Sequence, residues 1–264
     1  MSLKKRTVSQ FHNEALPDQF IDGLPHDFFD HGGTLIHNAR NQIKVFEMNG
    51  NPVNVKKYCI PPIINRIFYS YGIRRPKAKT TFVNAQEILK RGFLTPKPYG
   101  YIIERNGLGL ITYSYFFSEQ LADVKPLGYD CKDKKLITAV ANFTAKLHES
   151  GLLHIDYTPN NILYREENGK YTFYLVDINR FSFRNTPWPV SKLLNNLMKP
   201  FENDDSLMFF VQEYAKARGI DGNKIIKHVL RLRHMRNRYD DFKANLKKIP
   251  GAYLFLNQPL SRKK

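Results

Sequence analysis

His154-Ile155-Asp156-Tyr157-Thr158-Pro159-Asn160-Asn161-Ile162-Leu163-Tyr164, followed by a polar turn at Asn168-Gly169 and an apolar run ending in Val176-Asp177, decides the reading of this chain. Its chemistry-bearing members are Asp156, Asn161 and Asp177. In phosphoryl transfer an aspartate must reach the attacking hydroxyl, while an amide oxygen one turn on and a second carboxylate hold the magnesium ions that bridge ATP phosphates. A hairpin closed over Asn168-Gly169 returns the chain to the point it left, so the three oxygen donors converge. The spacing HxDxxxxN alone is weak, because a loop Asp and Asn also make ordinary turn bonds. Its context makes it specific: Leu136, Val140, Phe143 and Leu147 recur at helical spacing up to Gly151, a good helix-ending residue, and deliver the chain to His154.

Upstream, Thr34-Leu35-Ile36, Gln42 to Phe46 and Val53 to Tyr58 are short β-rich runs broken by Asn38-Ala39-Arg40-Asn41 and Asn49-Gly50-Asn51-Pro52, an antiparallel meander. Lys79 to Lys90 reads as a helix with Phe82, Ala85, Ile88 and Leu89 on one face and Gly92 beyond its end. Two further strands, Tyr99 to Glu104 and Leu110 to Leu121, join through Asn106-Gly107. From Ser191 to about Lys248 the pattern is helical. The expectation is an α+β, bilobal, protein-kinase-like fold. Residues 1–30 form an irregular arm, 31–121 an N-terminal lobe with a five-stranded antiparallel sheet and one helix, and 122–264 a mainly helical C-terminal lobe carrying the loop 154–161 and Asp177.

Val53-Asn54-Val55-Lys56 matches the strand whose lysine meets the α- and β-phosphates of ATP. Lys57 is its rival, and period-two alternation admits only one of them to the cleft. Glu87 is the one carboxylate of the following helix, a candidate partner for that lysine or else a solvated residue.

The formal charge is +17, with Lys+Arg 41 against Asp+Glu 24. Such a balance calls for an anionic partner. No carboxylate falls between Glu47 and Glu87, while Lys56, Lys57, Arg66, Arg74, Arg75, Lys77 and Lys79 all do; a second basic stretch runs from Lys224 to Lys248. Either could be a plain solvated surface. Cys59 and Cys131 make no disulfide or zinc pattern and read as free thiols of a reducing compartment. The start, Met1-Ser2-Leu3-Lys4-Lys5-Arg6, carries no apolar leader, and no run approaches the roughly 18 apolar residues of a membrane span, so a cytoplasmic protein is expected.

Val55-Lys56, Thr95-Pro96, Ser118-Glu119, His154-Ile155-Asp156 with Asn161-Ile162-Leu163-Tyr164, and Val176-Asp177-Ile178-Asn179-Arg180 together resemble the lipopolysaccharide kinases, the Kdo and heptose kinases of Gram-negative bacteria, relatives of the RIO and eukaryotic protein kinases. The resemblance covers roughly residues 30 to 200. It implies a kinase that uses ATP and magnesium, or manganese in its place, to phosphorylate a sugar hydroxyl of the lipopolysaccharide inner core at the inner membrane. Carried over, Asp156 is the base, Asn161 and Asp177 the metal ligands, Lys56 the phosphate-binding lysine and His154 a brace. Glu119 to Leu121 is the hinge that meets adenine, with Phe116 and Phe117 beside it. The implied partners are an anionic lipid-linked sugar and, peripherally, an anionic inner membrane; no nucleic acid is expected, and no motif speaks to oligomeric state.

The chain departs from the pattern in several places. There is no G-x-G-x-x-G, and the turn over the phosphates is Ile36-His37-Asn38-Ala39-Arg40-Asn41, where Arg40 either replaces glycine amides or is a turn residue. Thr158 stands where protein kinases carry a loop lysine, and Asp177-Ile178-Asn179 replaces D-F-G with no A-P-E after it. These changes argue against activation-loop control. The rival readings are a RIO-like protein kinase or soluble small-molecule kinase, and a basic non-catalytic binding protein on a kinase scaffold. A pure binding module has no use for Lys56, Asp156, Asn161 and Asp177 together.

Overall fold

The computed structural model describes residues 5–10, 16–27 and 32–247. Strand β1 (Lys5–Gln10) and helix α1 (Asp18–Asp27) precede a meander of β2 (Thr34–Asn38), β3 (Gln42–Met48) and β4 (Asn51–Lys57). Two helices follow, α2 (Ile63–Ser70) and α3 (Lys77–Lys90), then the hairpin β5 (Pro98–Arg105) and β6 (Ile111–Glu119). The second half runs through β7 (Lys125–Pro126), α4 (Lys134–Glu149), β8 (Leu152–His154), a 3-10 turn at Pro159–Asn161, β9 (Ile162–Glu167), β10 (Lys170–Leu175) and β11 (Phe181–Phe183). It ends in α5 (Val190–Leu197), α6 (Asp204–Ala217) and α7 (Gly222–Lys247).

The five expected strands are present and antiparallel, in the order β5-β6-β4-β3-β2. A sixth, β1, pairs along β5 from Lys5 opposite Arg105 to Gln10 opposite Gly100. The irregular arm expected over residues 1–30 is therefore corrected: within it lie an edge strand and a helix that closes one face of the sheet. Ile21 and Leu24 of α1 are buried with Phe46, Val53, Val55, Ile102, Tyr115 and Phe117, and the Phe20 ring meets Phe46 edge-on at 4.9 Å. The opposite face carries Tyr101, Ile103, Ile111 and Phe116 against Ala78 and Phe82 of α3. The alternation Tyr115, Phe116, Phe117 across the two faces is the period of two of a strand buried on both sides. Residues 1–4, 11–15, 28–31 and 248–264 lie outside the description.

The single helix expected between β4 and β5 is two helices, because Gly72 at φ 83 and Pro76 separate α2 from α3. The second half has its own core, in which Leu136, Val140 and Leu147 of α4 pack with Leu193, Leu197, Phe210, Val211 and Tyr214. Asp133 caps α4, its carboxylate accepting from the Lys135 and Leu136 amides at 2.8 and 3.4 Å, a cap that contributes about 1 kcal/mol. Gly151 ends the run at φ 75, where a Cβ would meet the Arg184 carbonyl oxygen at 2.0 Å, so only glycine fits.

Candidate active site

Between the sheet and the second half lies a cavity of about 250 Å³ lined by Ile36, Ile43, Lys56, Thr81, Glu119, Leu121, Leu163 and Asp177, among others. Val53 and Val55 point to the core under α1, so Asn54 and Lys56 face the cavity. Lys57 takes the other phase and lies over the Tyr113 ring at 5.7 Å. Lys56 Nζ donates to Asp177 Oδ1 at 2.6 Å. Burial works against the charge of both groups. The Tyr58 oxygen and Asp177 nonetheless hold Lys56 above its ordinary value, and Lys56, His154 and Asn179 hold Asp177 below the usual carboxylate value. Both are charged at neutral pH. Asp177 has left-handed backbone, φ 52, a conformation that a non-glycine residue keeps only when its surroundings hold it. Here Asn179 Nδ2 donates to Asp177 Oδ1 at 2.9 Å, and Asn84 Nδ2 of α3 donates to the next carbonyl, Ile178 O, at 2.8 Å.

The segment after β8 is tied in the same way. The Asp156 carbonyl accepts from the Thr158 amide at 2.9 Å and from Asn161 Nδ2 at 2.9 Å. Because the Asn161 nitrogen is committed there, its Oδ1 is the atom left to meet a cation. The Val176 amide donates to the Asn161 carbonyl at 3.1 Å, which joins the two metal-ligand candidates through the backbone. His154 is buried, accepts at Nδ1 from the Asp156 amide at 3.2 Å and donates from Nε2 to the Val176 carbonyl at 2.9 Å. It therefore carries its proton on Nε2 and braces both segments at once. Burial, more than any other influence, keeps it below the ordinary histidine value.

A buried chain of hydrogen bonds stands behind His154. Arg218 donates to Tyr214 OH at 3.0 Å, Tyr214 OH meets His148 Nδ1 at 3.0 Å, and His148 Nε2 meets Asn196 Oδ1 at 3.2 Å. Asn196 Nδ2 then donates to the His154 carbonyl at 2.6 Å. Since Arg218 and the Asn196 amide can only donate at the two ends, every proton between them is assigned: His148 is neutral and protonated on Nε2. Burial pulls its pKa down to about 3, aided by Arg218 and opposed by Asn196. Tyr157 is also buried and its hydroxyl meets Thr144 Oγ1 of α4 at 2.7 Å, a second anchor for the loop.

Glu87 is not the partner of Lys56. Its carboxylate accepts from Arg91 Nε at 2.6 Å one turn along α3, and Arg91 also donates to the Arg184 carbonyl at 2.6 Å. The buried face of α3 is Ala78, Thr81, Phe82, Asn84, Ala85 and Ile88, and Glu87 falls beside it. At the hinge, the Glu119 amide donates to Lys97 O at 2.9 Å and the Gln120 amide to Pro52 O at 3.2 Å.

A second cavity, of about 460 Å³, is walled by Asp156 and Thr158 together with Arg180, Lys199, Glu202, Arg233, and Arg236 with its ion-pair partner Asp240 at 3.4 Å. Lys199 Nζ donates to the Ile155 carbonyl, beside Asp156. Its pKa is lowered by burial first and by Arg236 and Arg180 nearby, with Asp156 acting against them. Lys77 is also lowered, by burial and then by Arg40, with Lys56 and Asp177 within electrostatic reach. Lys199 and Asn84 were not singled out from sequence, and Lys77 was named only as part of the basic stretch; the three form no spacing motif.

The profile of the lipopolysaccharide kinase (Kdo/WaaP) family matches residues 37–213, which spans both segments of the site. The chain belongs to the lipopolysaccharide kinase (Kdo/WaaP) family. As a Kdo/WaaP-family member it is a phosphotransferase of the kinase class. No curated protein sequence matches it. Its fold is similar to that of WaaP in complex with acyl carrier protein, at 15% identity over 77% of this chain and 88% of that one, TM-score 0.53. It is also similar to a Rio2 kinase complex with ADP, magnesium and phosphoaspartate from Chaetomium thermophilum (16%, covering 91% and 80%, TM-score 0.48) and a microcompartment-associated aminopropanol kinase (10%, covering 82% and 86%, TM-score 0.49). The WaaP likeness bears on fold alone. The bilobal kinase-like architecture of this Kdo/WaaP-family chain agrees with it.

Proposed function

We propose that this chain transfers the γ-phosphoryl group of ATP to a hydroxyl of Kdo or heptose in the lipopolysaccharide inner core. The observation that carries the proposal is that two cavities are served by bonded segments: Asp177, next to Val176 whose amide bonds to Asn161, lines the cavity with Lys56, and Asp156 lines a second cavity that holds Arg180, Lys199, Arg233 and Arg236 beside Glu202 and Asp240. Adenine would lie between Ile36 and Ile43 above and Leu163 below, along Glu119 to Leu121. With the Glu119 and Gln120 amides already donating to backbone carbonyls, Leu121 is the hinge residue positioned to donate. Lys56 would turn from Asp177 to the α- and β-phosphates, with Lys77 and Arg40 covering the phosphate end in place of glycine amides.

Asn161 Oδ1 and the ionised Asp177 carboxylate suit a hard cation such as magnesium, which takes few protein ligands and completes its shell with phosphates and water. Bound there, magnesium supplies neutralisation of the phosphate charge. Asp156 accepts the proton of the acceptor hydroxyl as its oxygen bonds to the γ-phosphorus, and the bond from that phosphorus to the ADP oxygen breaks. Lys199, Arg180 and Arg236 would hold the carboxylate or phosphate groups of an acidic sugar in the second cavity, which is of ordinary ligand-site size. The acceptor is lipid-linked, so the enzyme would work peripherally at the cytoplasmic face of an anionic inner membrane. The test is the mass of lipopolysaccharide from a strain lacking the gene, paired with labelled-phosphate transfer by purified enzyme to Kdo-terminated and heptose-terminated acceptors. Loss of one core phosphate together with transfer to one acceptor class supports the proposal. Unchanged lipopolysaccharide and no transfer to either would reject it.

A further inference from the structure

Helix α2 turns its apolar side outward. It contributes no buried residue, and Ile63, Ile64 and Tyr71 are 79%, 70% and 62% exposed. Ile67, Ile73 and Leu108 extend the same surface. In a helix that merely covers a sheet the isoleucines face the core and the polar side faces water. Here the isoleucines are left out of the attachment: Tyr69 packs against the core under α3, and the remaining ties are polar, with Arg66 Nε donating to Ile111 O at 2.7 Å, Ser70 Oγ accepting from the Ile111 amide at 2.9 Å, and Tyr71 OH donating to Leu108 O at 2.9 Å. These bonds hold the helix on the β5–β6 turn while leaving its isoleucine stripe in solvent.

The surroundings of the stripe carry one sign of charge. Arg74, Arg75 and Lys79 are exposed beside it, and no Asp or Glu occurs between Glu47 and Glu87 or between Arg105 and Ser118. The strand register gives its direction. Val53 lies opposite Glu119 at the hinge end of β4, whereas Lys57 lies opposite Tyr115 and Gln42 at the other end. The Cys59 amide donates to Asn41 at 3.2 Å, so the turn carrying Arg40 also belongs to this second end. The stripe thus sits at the end of the sheet away from the hinge, together with the turn over the phosphate end of the cleft.

We infer that the isoleucine face of α2, with its rim of Arg74, Arg75 and Lys79, is a docking surface for an anionic lipid bilayer. Isoleucines supply depth of insertion and no hydrogen-bonding direction, which suits an acyl boundary; a protein partner calls for fixed polar contacts as well. The cations meet lipid phosphates, and two copies of this chain would instead oppose rim to rim at +17 each. The inference deepens the functional reading above, in which the acceptor is lipid-linked: the docked end would be the end from which that acceptor approaches.

The test is flotation of the purified full chain with phosphatidylcholine vesicles, with and without phosphatidylglycerol. The wild type is expected to float with the mixed vesicles and to be released by salt. Ile63→Ser/Ile64→Ser should weaken binding by about tenfold or more per isoleucine. Arg74→Gln/Arg75→Gln should remove the preference for phosphatidylglycerol. All variants should keep the wild-type thermal shift with ATP and magnesium and the wild-type rate on a deacylated, water-soluble core acceptor, since none touches the cleft. Wild type that fails to float with mixed vesicles, or an isoleucine variant that floats as wild type does, overturns the inference even if transfer stands. So does a concentration-dependent dimer that the isoleucine variant abolishes without changing flotation. Flotation as described, with no transfer to any core acceptor, upholds the docking surface and rejects the functional reading instead.

Discussion

At the scale of single residues, Asp177 joins β4 to the segment after β10: it bonds to Lys56 and Asn179, and its backbone is left-handed. In the proposed metal site, removing its carboxylate would leave the cation one protein ligand, Asn161, and it frees Lys56. Asp177→Ala and Asn161→Ala are therefore expected to lose the magnesium-dependent part of the ATP thermal shift while remaining folded; an unchanged shift in Asp177→Ala would remove it from the metal site. Asn84 and Glu87 differ in magnitude. Asn84 is 7% exposed, and losing a buried hydrogen bond that leaves the Ile178 carbonyl unpaired costs about 1–3 kcal/mol. The Glu87–Arg91 pair is partly exposed and on one helix, an arrangement that contributes roughly 0–1 kcal/mol. Asn84→Ala should lower both stability and transfer rate, while Glu87→Gln should leave the rate near wild type, as read by denaturant midpoints and initial rates. A Glu87→Gln variant that loses rate as Asp177→Ala does would restore Glu87 to the site. Lys56 was legible in the sequence because alternation with Val53 and Val55 chooses its face. Glu87 misled because being the one carboxylate on a helix says nothing about the phase of that helix.

At the scale of elements, the meander, the β9–β10 hairpin and the long α4 were all legible, since each has a strong period or a turn signal of its own. Strand β1 and helix α1 were not. A short strand whose pairing lies with β5, far along the chain, leaves no local mark, and Phe20, Ile21 and Leu24 make too short a stripe to outweigh Pro17 and Asp18. Leu24 is fully buried in the core of the sheet, so Leu24→Ala should cost about 2–5 kcal/mol in a denaturant titration; a cost below about 1 kcal/mol would mean that α1 is not part of the lobe. The chain from Arg218 through His148 to His154 ties α4, α5 and α6 to the head of the loop 154–161, and it requires neutral histidines. Folded His148 has a pKa near 3 against about 6.5 unfolded, so the unfolded chain binds the extra proton between those values. Stability is accordingly full above about pH 6.5 and is lost as pH falls toward 3, by up to about 1.4 kcal/mol per pH unit from this group. His148→Gln should flatten that acid slope in denaturant midpoints, and an unchanged slope would contradict the assignment.

At the scale of the whole molecule, the charge of +17 and its two basic stretches were visible in the sequence, but which surfaces they build was not. Folding distributes part of it to three places: the rim of α2, the neighbourhood of Lys56 at Lys77 and Arg40, and the second cavity at Arg180, Lys199 and Arg236. Of the described residues, no helix is long and apolar enough to cross a membrane. Asp156 lines the second cavity and not the one that holds Lys56, so the proposed division of labour is testable: a group that faces the acceptor would carry no share of nucleotide binding. The most direct measurement is γ-phosphoryl transfer to a Kdo-containing acceptor by wild type and Asp156→Asn, with an ATP-binding titration on the same two proteins. The account predicts unchanged ATP affinity and a transfer rate lower by roughly 10²- to 10⁴-fold, the loss expected on removing a positioned general base. Transfer by Asp156→Asn at the wild-type rate would contradict it.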